Sequence, residues 1–222
     1  NQIRFYNGAK IEISPGKTVY ITKESSGLSD RFEKEFKSAG LKARQIDILD
    51  SPIPALEDAA GIVLVPDVFS SNAEAIKFDF LNAAFDLVKK NAESLTASGK
   101  EKGAFLTGVS FMGGAFGFST GKFCTDPVFA GLPGFIKTAA IEFKHVLCRA
   151  LDLPDDPKTC LENAEAAVSL MMTQGEVEMG LNGDSCSITH LAPKAVEKKT
   201  PAVTDKDIFA ITGGAKGVTA AC

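Results

Sequence analysis

The residues best suited to chemistry form a glycine-rich run near the carboxyl terminus. It follows an apolar stretch, Ile208–Ile211, that indicates a short buried strand, and Val218–Cys222 has the composition to open a helix. A strand, a glycine-rich turn and a helix amino terminus together can bind phosphate, because backbone N–H groups point at the anion and glycine lets the backbone approach. Thr219 occupies the place of the usual third glycine, so the pattern by itself also fits a plain turn. The candidate phosphate loop consists of Thr212, Gly213, Gly214, Ala215, Lys216, Gly217 and Val218.

This loop resembles a known cofactor loop. Thr212–Val218 is similar to the loop of short-chain dehydrogenases, in particular the ketoreductase domains of modular and iterative polyketide synthases. The longer string Ile211–Cys222 resembles the loop of polyunsaturated-fatty-acid synthases. Two further stretches resemble the structural subdomain that precedes the catalytic half of those ketoreductases: Gly134–Phe143, and Glu176–Gly183 followed by Leu191–Pro193.

The resemblance covers most of the chain, loosely up to about Thr120 and more closely afterwards. It implies that residues 1–203 form a non-catalytic structural subdomain and that residues 204–222 begin the catalytic Rossmann half. The implied parent reaction is NADPH-dependent reduction of a β-ketoacyl thioester on an acyl carrier protein to the β-hydroxyacyl form. The serine, tyrosine and lysine that would catalyse it are expected beyond Cys222, so we predict no catalytic residues in this chain and no reductase activity from it alone.

The resemblance also implies the cofactor and the partners. NADPH would bind at Thr212–Val218 only in the complete ketoreductase, and Lys216 would either meet its 2′-phosphate or be a solvent-exposed loop lysine. The partners would be the catalytic subdomain of the same polypeptide and an acyl carrier protein with a phosphopantetheine-tethered substrate. The alternative is a non-catalytic scaffold or docking module of a megasynthase whose loop binds no nucleotide. An independent small dehydrogenase is disfavoured, because the chain ends at the loop.

Three other patterns imitate known sites. The first strand–turn, Ile21–Leu28, lies where a Rossmann sheet normally binds a cofactor, but it holds one glycine, so we predict no nucleotide site there. Tyr6 and Lys10 have the spacing of the short-chain dehydrogenase pair, but that pair requires a helix and Asn-Gly between them favours a hairpin. Gly117–Gly121 has the spacing of a hydrolase nucleophile elbow without the flanking strand and helix, and we interpret His145 as a helical residue without a catalytic role.

Composition excludes several classes of function. The net charge of −4 gives no electrostatic reason to expect nucleic acid or an anionic membrane as a partner. No apolar run approaches about 18 residues, so no membrane span is predicted. The five cysteines are widely spaced and odd in number, which favours free thiols in a reducing cytoplasm and no metal site. The acidic run Asp152–Asp156 is most simply a solvated loop.

These candidate residues need an alternating framework to position them. Strands alternate with helices through the first two thirds, which predicts an α/β fold with a mostly parallel, truncated Rossmann-like sheet flanked by helices and by peripheral hairpin strands. The predicted strands are two within Arg4–Ile13 around Asn7–Gly8, then Thr18–Thr22, Ala43–Ile48, Gly61–Val65, Gly103–Val109 and Ala150–Leu153, and a final pair, Glu176–Met179 with Ser185–Leu191, around Asn182–Gly183. The predicted helices run from a cap at Ser29–Asp30 to about Gly40, over Ala73–Leu95, over Leu132–Cys148 and over Lys158–Gln174.

Overall fold

The structure is a computed structural model of the 222-residue chain. It describes residues 2–3, 8–49, 52–118, 128–189, 192–193 and 204–208. These residues belong to two units, Asn1–Thr189 and His190–Cys222. In the second unit the Asp207 carboxylate accepts a hydrogen bond from the Thr204 amide at 2.6 Å. Of the predicted strand Ile208–Ile211 only Ile208 is described, and it is exposed and outside any strand.

The first unit alternates strands and helices. Its strands are β1 Gln2–Ile3, β2 Thr18–Thr22, β3 Lys42–Ile46, β4 Ala59–Leu64, β5 Phe105–Ser110, β6 Leu147–Asp152, β7 Glu178–Asn182 and β8 Ser185–Ile188. Its helices are α1 Leu28–Ser38, α2 Ala73–Glu101, α3 Gly131–Glu142, α4 Pro157–Glu162 and α5 Ala164–Met171.

One sheet of eight strands runs through this unit in the order β1-β8-β7-β6-β5-β4-β2-β3. The strands from β2 to β7 are parallel, and β7, β8 and β1 pair antiparallel at one edge. The chain builds β3 on one side of β2 and then crosses to place β4 on the other side. In a doubly wound sheet this reversal is the switch point, where ligands bind outside the carboxyl ends of the strands. The predicted fold class is confirmed.

Helices cover both faces of the sheet. One face buries Val19, Ile21 and Phe105 with α1, α4 and α5, and the other buries Tyr20 and Leu106 with α2 and α3. Successive strand residues therefore serve opposite cores, as the two-residue period of a strand requires. The central strands are buried along their whole length, which is why they appear in the sequence as unbroken apolar runs.

The long helix and the sheet core follow the sequence pattern. Strands β2 to β6 lie within a few residues of their predicted bounds, and α2 begins at the predicted Ala73 but continues to Glu101. The opening and closing strands pair with each other, because β1 is antiparallel to β8 with Gln2 opposite Ser187. The predicted pair around Asn182–Gly183 is β7 and β8, joined by a two-residue turn whose first residue, Gly183, has φ 56°.

The amino-terminal hairpin is partly wrong. Residues 4–7 lie outside the described residues, so its first arm and turn are untested. The second arm is not a strand: Lys10 forms one isolated bridge with Thr173, and the Ile11 amide donates to Met172 O at 2.8 Å. The end of α5 supplies these backbone partners, and that tertiary contact replaces the local hairpin.

The predicted helix Leu132–Cys148 ends earlier, at Glu142, and its last residues enter the sheet. Leu147 donates its amide to Ala104 O at 2.9 Å, so the apolar residues before Arg149 pair with β5. His145 consequently lies in an exposed turn and not in a helix. The predicted helix Lys158–Gln174 is likewise divided at Asn163 into α4 and α5.

Candidate functional site

The turn between β2 and α1 lies at the switch point of the sheet. Thr22, the last residue of β2, donates through Oγ1 to Val65 O at 2.9 Å and accepts from the Val65 amide at 2.7 Å. Ser29 in the first turn of α1 donates through Oγ to Thr22 O at 2.8 Å. These bonds connect the carboxyl ends of β2 and β4 and place the amino terminus of α1 above them.

The carboxylate of Glu24 occupies the amino terminus of α1. Its Oε2 accepts from the Ser26 amide at 2.5 Å, and its Oε1 accepts from the Ser29 amide at 2.9 Å. The first amides of a helix have no partner within the helix and favour a negative group, which is why phosphates bind there. The Ser29 amide belongs to the first turn of α1 and the Ser26 amide to the turn before it, so Glu24 occupies a place where a helix amino terminus can hold an anion. The predicted cap at Ser29–Asp30 is wrong, because Gly27 (φ 87°) is the N-cap and Ser29 lies inside the helix.

Beside this turn lies an open crevice of about 210 Å³. Its apolar wall includes Ile48 and Phe80, both almost fully buried. Its rim carries charged and polar side chains from the ends of three strands, and Ser25 Oγ donates to Asp67 Oδ1 at 2.7 Å. The volume is below the 300–1,000 Å³ of typical small-molecule sites. The crevice is lined by Lys23, Glu24, Ser25, Asp47, Ile48, Leu49, Asp67, Ile76 and Phe80.

A second carboxylate organises the carboxyl edge further along the sheet. Asp152, the last residue of β6, accepts through Oδ1 from Ser110 Oγ and from the Met112 amide, both at 2.7 Å. Its Oδ2 accepts from the Phe116 amide at 2.8 Å. Burial raises the pKa of Asp152, and the hydrogen bonds oppose that rise. The loop after β5 is thereby folded over the ends of β5 and β6.

This finding corrects the interpretation of Asp152–Asp156 as a solvated loop. Asp155 and Asp156 are exposed, but Asp152 is fully buried. Asp156 has a local role: its Oδ2 accepts from the Thr159 amide at 2.9 Å and caps α4, with Pro157 in the first turn. The three acids thus separate into a buried loop anchor and two surface residues.

The predicted cofactor residues Thr212, Gly213, Gly214, Ala215, Lys216, Gly217 and Val218 lie outside the described residues. Their role stays a prediction. The structure therefore does not test whether they form a phosphate site.

The patterns that imitate known sites are only partly described. Tyr6 lies outside the described residues, and Lys10 is exposed and bridges Thr173. Gly117 and Phe118 are described as part of a turn, while residues 119–121 are not, so the elbow spacing remains untested.

Metal and thiol chemistry find no support in the part of the chain that the structure describes. No three histidine, cysteine, aspartate or glutamate side chains there are grouped closely enough to hold a metal ion. Cys148, Cys160 and Cys186 are buried free thiols. Burial raises the pKa of Cys148 and of Cys160 to about 12, and it also raises the pKa of Cys186. None of the helices in the described ranges combines the length and apolar character needed to cross a bilayer.

Comparison with known proteins places the fold. No protein-family model matches the chain, and no curated protein matches its sequence. Among solved structures, a short-chain dehydrogenase/reductase family oxidoreductase from Brucella ovis, in complex with a partially ordered NAD, superposes with a TM-score of 0.51. The match covers 71% of this chain and 93% of that one at 16% identity. The chain shares the Rossmann-like α/β fold of this oxidoreductase.

Two further solved structures also superpose on this chain. A second Brucella ovis oxidoreductase of the same family has a TM-score of 0.51 at 14% identity, covering 71% of this chain and 94% of that one. An N-terminal ketoreductase from the macrolactin assembly line has a TM-score of 0.49 at 11% identity, covering 84% of this chain and 42% of that one. At these identities the likeness concerns the fold, and activity and cofactor belong to the proposal below.

Sequence reasoning missed both carboxylates that organise the carboxyl edge. The available signal for Glu24 was an acidic residue a few positions before an amphipathic helix. The signal for Asp152 was an acid directly at the end of an apolar run, preceded by a strand that ends in Ser110. Neither pattern specifies that the carboxylate turns inward, because that depends on the neighbouring loop.

Proposed function

We propose that this chain is the structural half of an NADPH-dependent β-ketoacyl reductase in a multidomain polyketide or polyunsaturated-fatty-acid synthase. One observation carries the proposal: a doubly wound sheet whose switch point is filled by Glu24 is followed in sequence by a second candidate phosphate loop, Thr212–Val218. A filled first site and a second candidate phosphate loop are what a two-part reductase with one cofactor requires. The substrate would be a β-ketoacyl thioester on an acyl carrier protein.

The tyrosine content supports a non-catalytic role for this half. Reduction of the ketone needs a hydride, which bound NADPH would supply, and a proton donor at the carbonyl oxygen. The chain has two tyrosines, Tyr6 and Tyr20. Tyr20 is buried in β2, where its hydroxyl donates to Glu57 O at 2.7 Å and accepts from Arg44 at 2.6 Å. The Tyr20 hydroxyl is therefore occupied by hydrogen bonds within the core, and the proton donor of the reaction is expected in the catalytic half.

An exposed apolar face on α2 and α3 supports a docking role. Phe78 and Phe85 are 61% and 50% exposed, and their seven-residue spacing places them two turns apart on the same side of α2. Phe85 contacts Phe135 of α3 with ring centroids 5.9 Å apart. Contiguous exposed apolar side chains mark interaction surfaces. We assign this face to the catalytic half of the same polypeptide.

The test compares reductase activity of the 222-residue chain with that of a chain carried about 250 residues further, the size of one additional α/β domain. The longer chain is expected to oxidise NADPH in the presence of a β-ketoacyl thioester, and the shorter chain is not. In the longer chain, Phe78→Ser with Phe85→Ser should lower activity, whereas Asn82→Ser on the same helix side should not. Activity of the shorter chain would contradict the proposal.

The second candidate is a non-catalytic scaffold of a megasynthase. The filled switch point and the exposed face of α2 favour it as much as they favour the structural half of a reductase. The two differ in Thr212–Val218, which would bind no nucleotide in a scaffold. A longer chain that folds but neither binds NADPH nor reduces a thioester would support the scaffold.

A further inference from the structure

Glu24 holds two backbone donors at the switch point of the sheet. The Ser26 and Ser29 amides donate to its two carboxylate oxygens at 2.5 and 2.9 Å, so each oxygen has a separate partner. Hydrogen bonds from amides to an ionised carboxylate are stronger than those between neutral groups. An incoming phosphate would have to displace both of them.

The surrounding charges oppose a phosphate as well. The rim of the crevice carries the carboxylates of Glu24, Asp47 and Asp67, with Lys23 as the cation among its lining residues. Three acids against one base make the rim negative, and like charges at short range repel. The nicotinamide dinucleotide that the fold family implies therefore does not fit this turn.

The other parts of a Rossmann unit are nevertheless in place. β2, α1 and β3 form a β-α-β unit, with β2 and β3 parallel and paired from Thr18 opposite Lys42 to Thr22 opposite Ile46. Asp47 directly follows β3 and lies on the rim of the crevice, where such folds carry the acid that binds a ribose hydroxyl. The β-α-β architecture of a nucleotide site is thus retained, and the Glu24 carboxylate occupies the place of the phosphate.

We infer that Glu24 is a built-in substitute for the cofactor phosphate, which closes the switch point of this sheet to dinucleotides. Because a side chain closes the position, replacing Glu24 by a residue with a shorter side chain should reopen it. The backbone amides of Ser26 and Ser29 would remain as donors. The inference stands independently of the proposed function, because it concerns the described turn and not the loop at Thr212–Val218. In a two-part reductase its consequence would be one cofactor per chain.

The experiment titrates the 222-residue chain with inorganic pyrophosphate and follows individual amides by ¹H–¹⁵N NMR. In the natural chain the Ser26 and Ser29 amides are expected to be unaffected. In Glu24→Ala the same two amides should shift with saturation, and the affinity there should be at least about tenfold higher than in the natural chain. Amides of residues 212–218 report separately, so binding at that loop is not mistaken for binding at this turn.

Glu57→Ala is the matched control. Glu57 is exposed and lies just before β4, at the opposite edge of the sheet, so this variant removes the same charge without touching α1. It should behave like the natural chain. If Glu24→Ala does not fold, Glu24→Gln keeps an acceptor oxygen but loses the charge, and the Ser26 and Ser29 amides should still respond more than in the natural chain. Equal responses in the natural chain and the variants, or no response in either variant, would overturn the inference.

Discussion

Ser110 and Asp152 lie directly opposite each other on β5 and β6, and the serine hydroxyl donates to Asp152 Oδ1 at 2.7 Å. The same carboxylate accepts two loop amides, from Met112 and Phe116. A buried carboxylate is tolerated when its oxygens are hydrogen-bonded. The pair therefore fixes the loop after β5 against the end of the sheet, where a parallel sheet usually places its functional loops.

Asp152→Asn is expected to destabilise the protein by about 1–3 kcal/mol. One carboxylate oxygen is replaced by an NH₂ group, which cannot accept the hydrogen bond that a loop amide donates to Asp152. Chemical denaturation at pH 7 measures the free energy of unfolding. Asp155→Asn is the control, since Asp155 is exposed, and it should change stability little. Equal effects of the two substitutions would contradict the role of Asp152.

Gly180→Ala is expected to detach the loop after β5, which contains Gly114, from β7. A Cβ at Gly180 would lie 2.1 Å from Gly114 O, which is backbone and cannot rotate away. The cost should be about 1–3 kcal/mol, the range for overpacked cores. Gly134→Ala on α3 makes the same chemical change in open space and should stabilise by up to about 1 kcal/mol. Thermal unfolding compares the two, and a Gly180→Ala variant as stable as the natural chain would refute the packing.

Glu178 should make the protein more stable at neutral pH than in acid. Burial raises the pKa of Glu178, but hydrogen bonds from Lys137 at 2.9 Å and Thr189 at 2.8 Å outweigh burial and hold the pKa below its ordinary value. A lowered folded-state pKa gives stability that is present above the unfolded-state pKa and is lost as pH falls through the folded-state pKa.

Glu178→Gln should therefore lower the free energy of unfolding at pH 7 and flatten its decline in acid. Urea denaturation between pH 7 and pH 3 gives both quantities. Glu165→Gln, on the exposed side of α5, is the control and should keep the decline of the natural chain. A steep acid decline that persists in Glu178→Gln would show that other carboxylates cause it.

The buried thiols should be unreactive in the native protein. Because burial raises the pKa of Cys148 and of Cys160 to about 12, almost no thiolate is present at pH 8. Alkylation followed by peptide mass spectrometry should leave both of them and Cys186 unlabelled until denaturant is added. All five cysteines of the chain should react after unfolding. Labelling of Cys160 at the rate of a free thiol would contradict its buried position.

Much of the framework could be predicted from sequence, because buried strands and amphipathic helices carry their own patterns. Thr18–Thr22 matches β2 residue for residue, and Phe32 and Phe36 are buried on α1 as their spacing requires. The early end of α3 could not be predicted in this way. The residues after α3 are apolar enough to form either a helix or a strand. They form strand β6 because they pair with β5.

The candidate site was less predictable than the fold. The single glycine of the first turn drew attention to that turn, but an acidic residue shortly before a helix is too common a pattern to specify that Glu24 accepts hydrogen bonds from the Ser26 and Ser29 amides. Asp152 was interpreted as part of a solvated loop because acidic residues follow it, but it is buried. Its position at the end of β6 determines its surroundings, and the charge of its neighbours in sequence does not.

The assignment of this chain as a structural half is tested most directly by where NADPH binds. Isothermal titration calorimetry should compare the 222-residue chain with the chain carried about 250 residues further. We expect only the longer chain to bind, with one NADPH per chain, and Gly214→Val to abolish this binding. NADPH binding by the 222-residue chain alone would contradict its assignment as a structural half, and no binding by a folded longer chain would contradict the reductase.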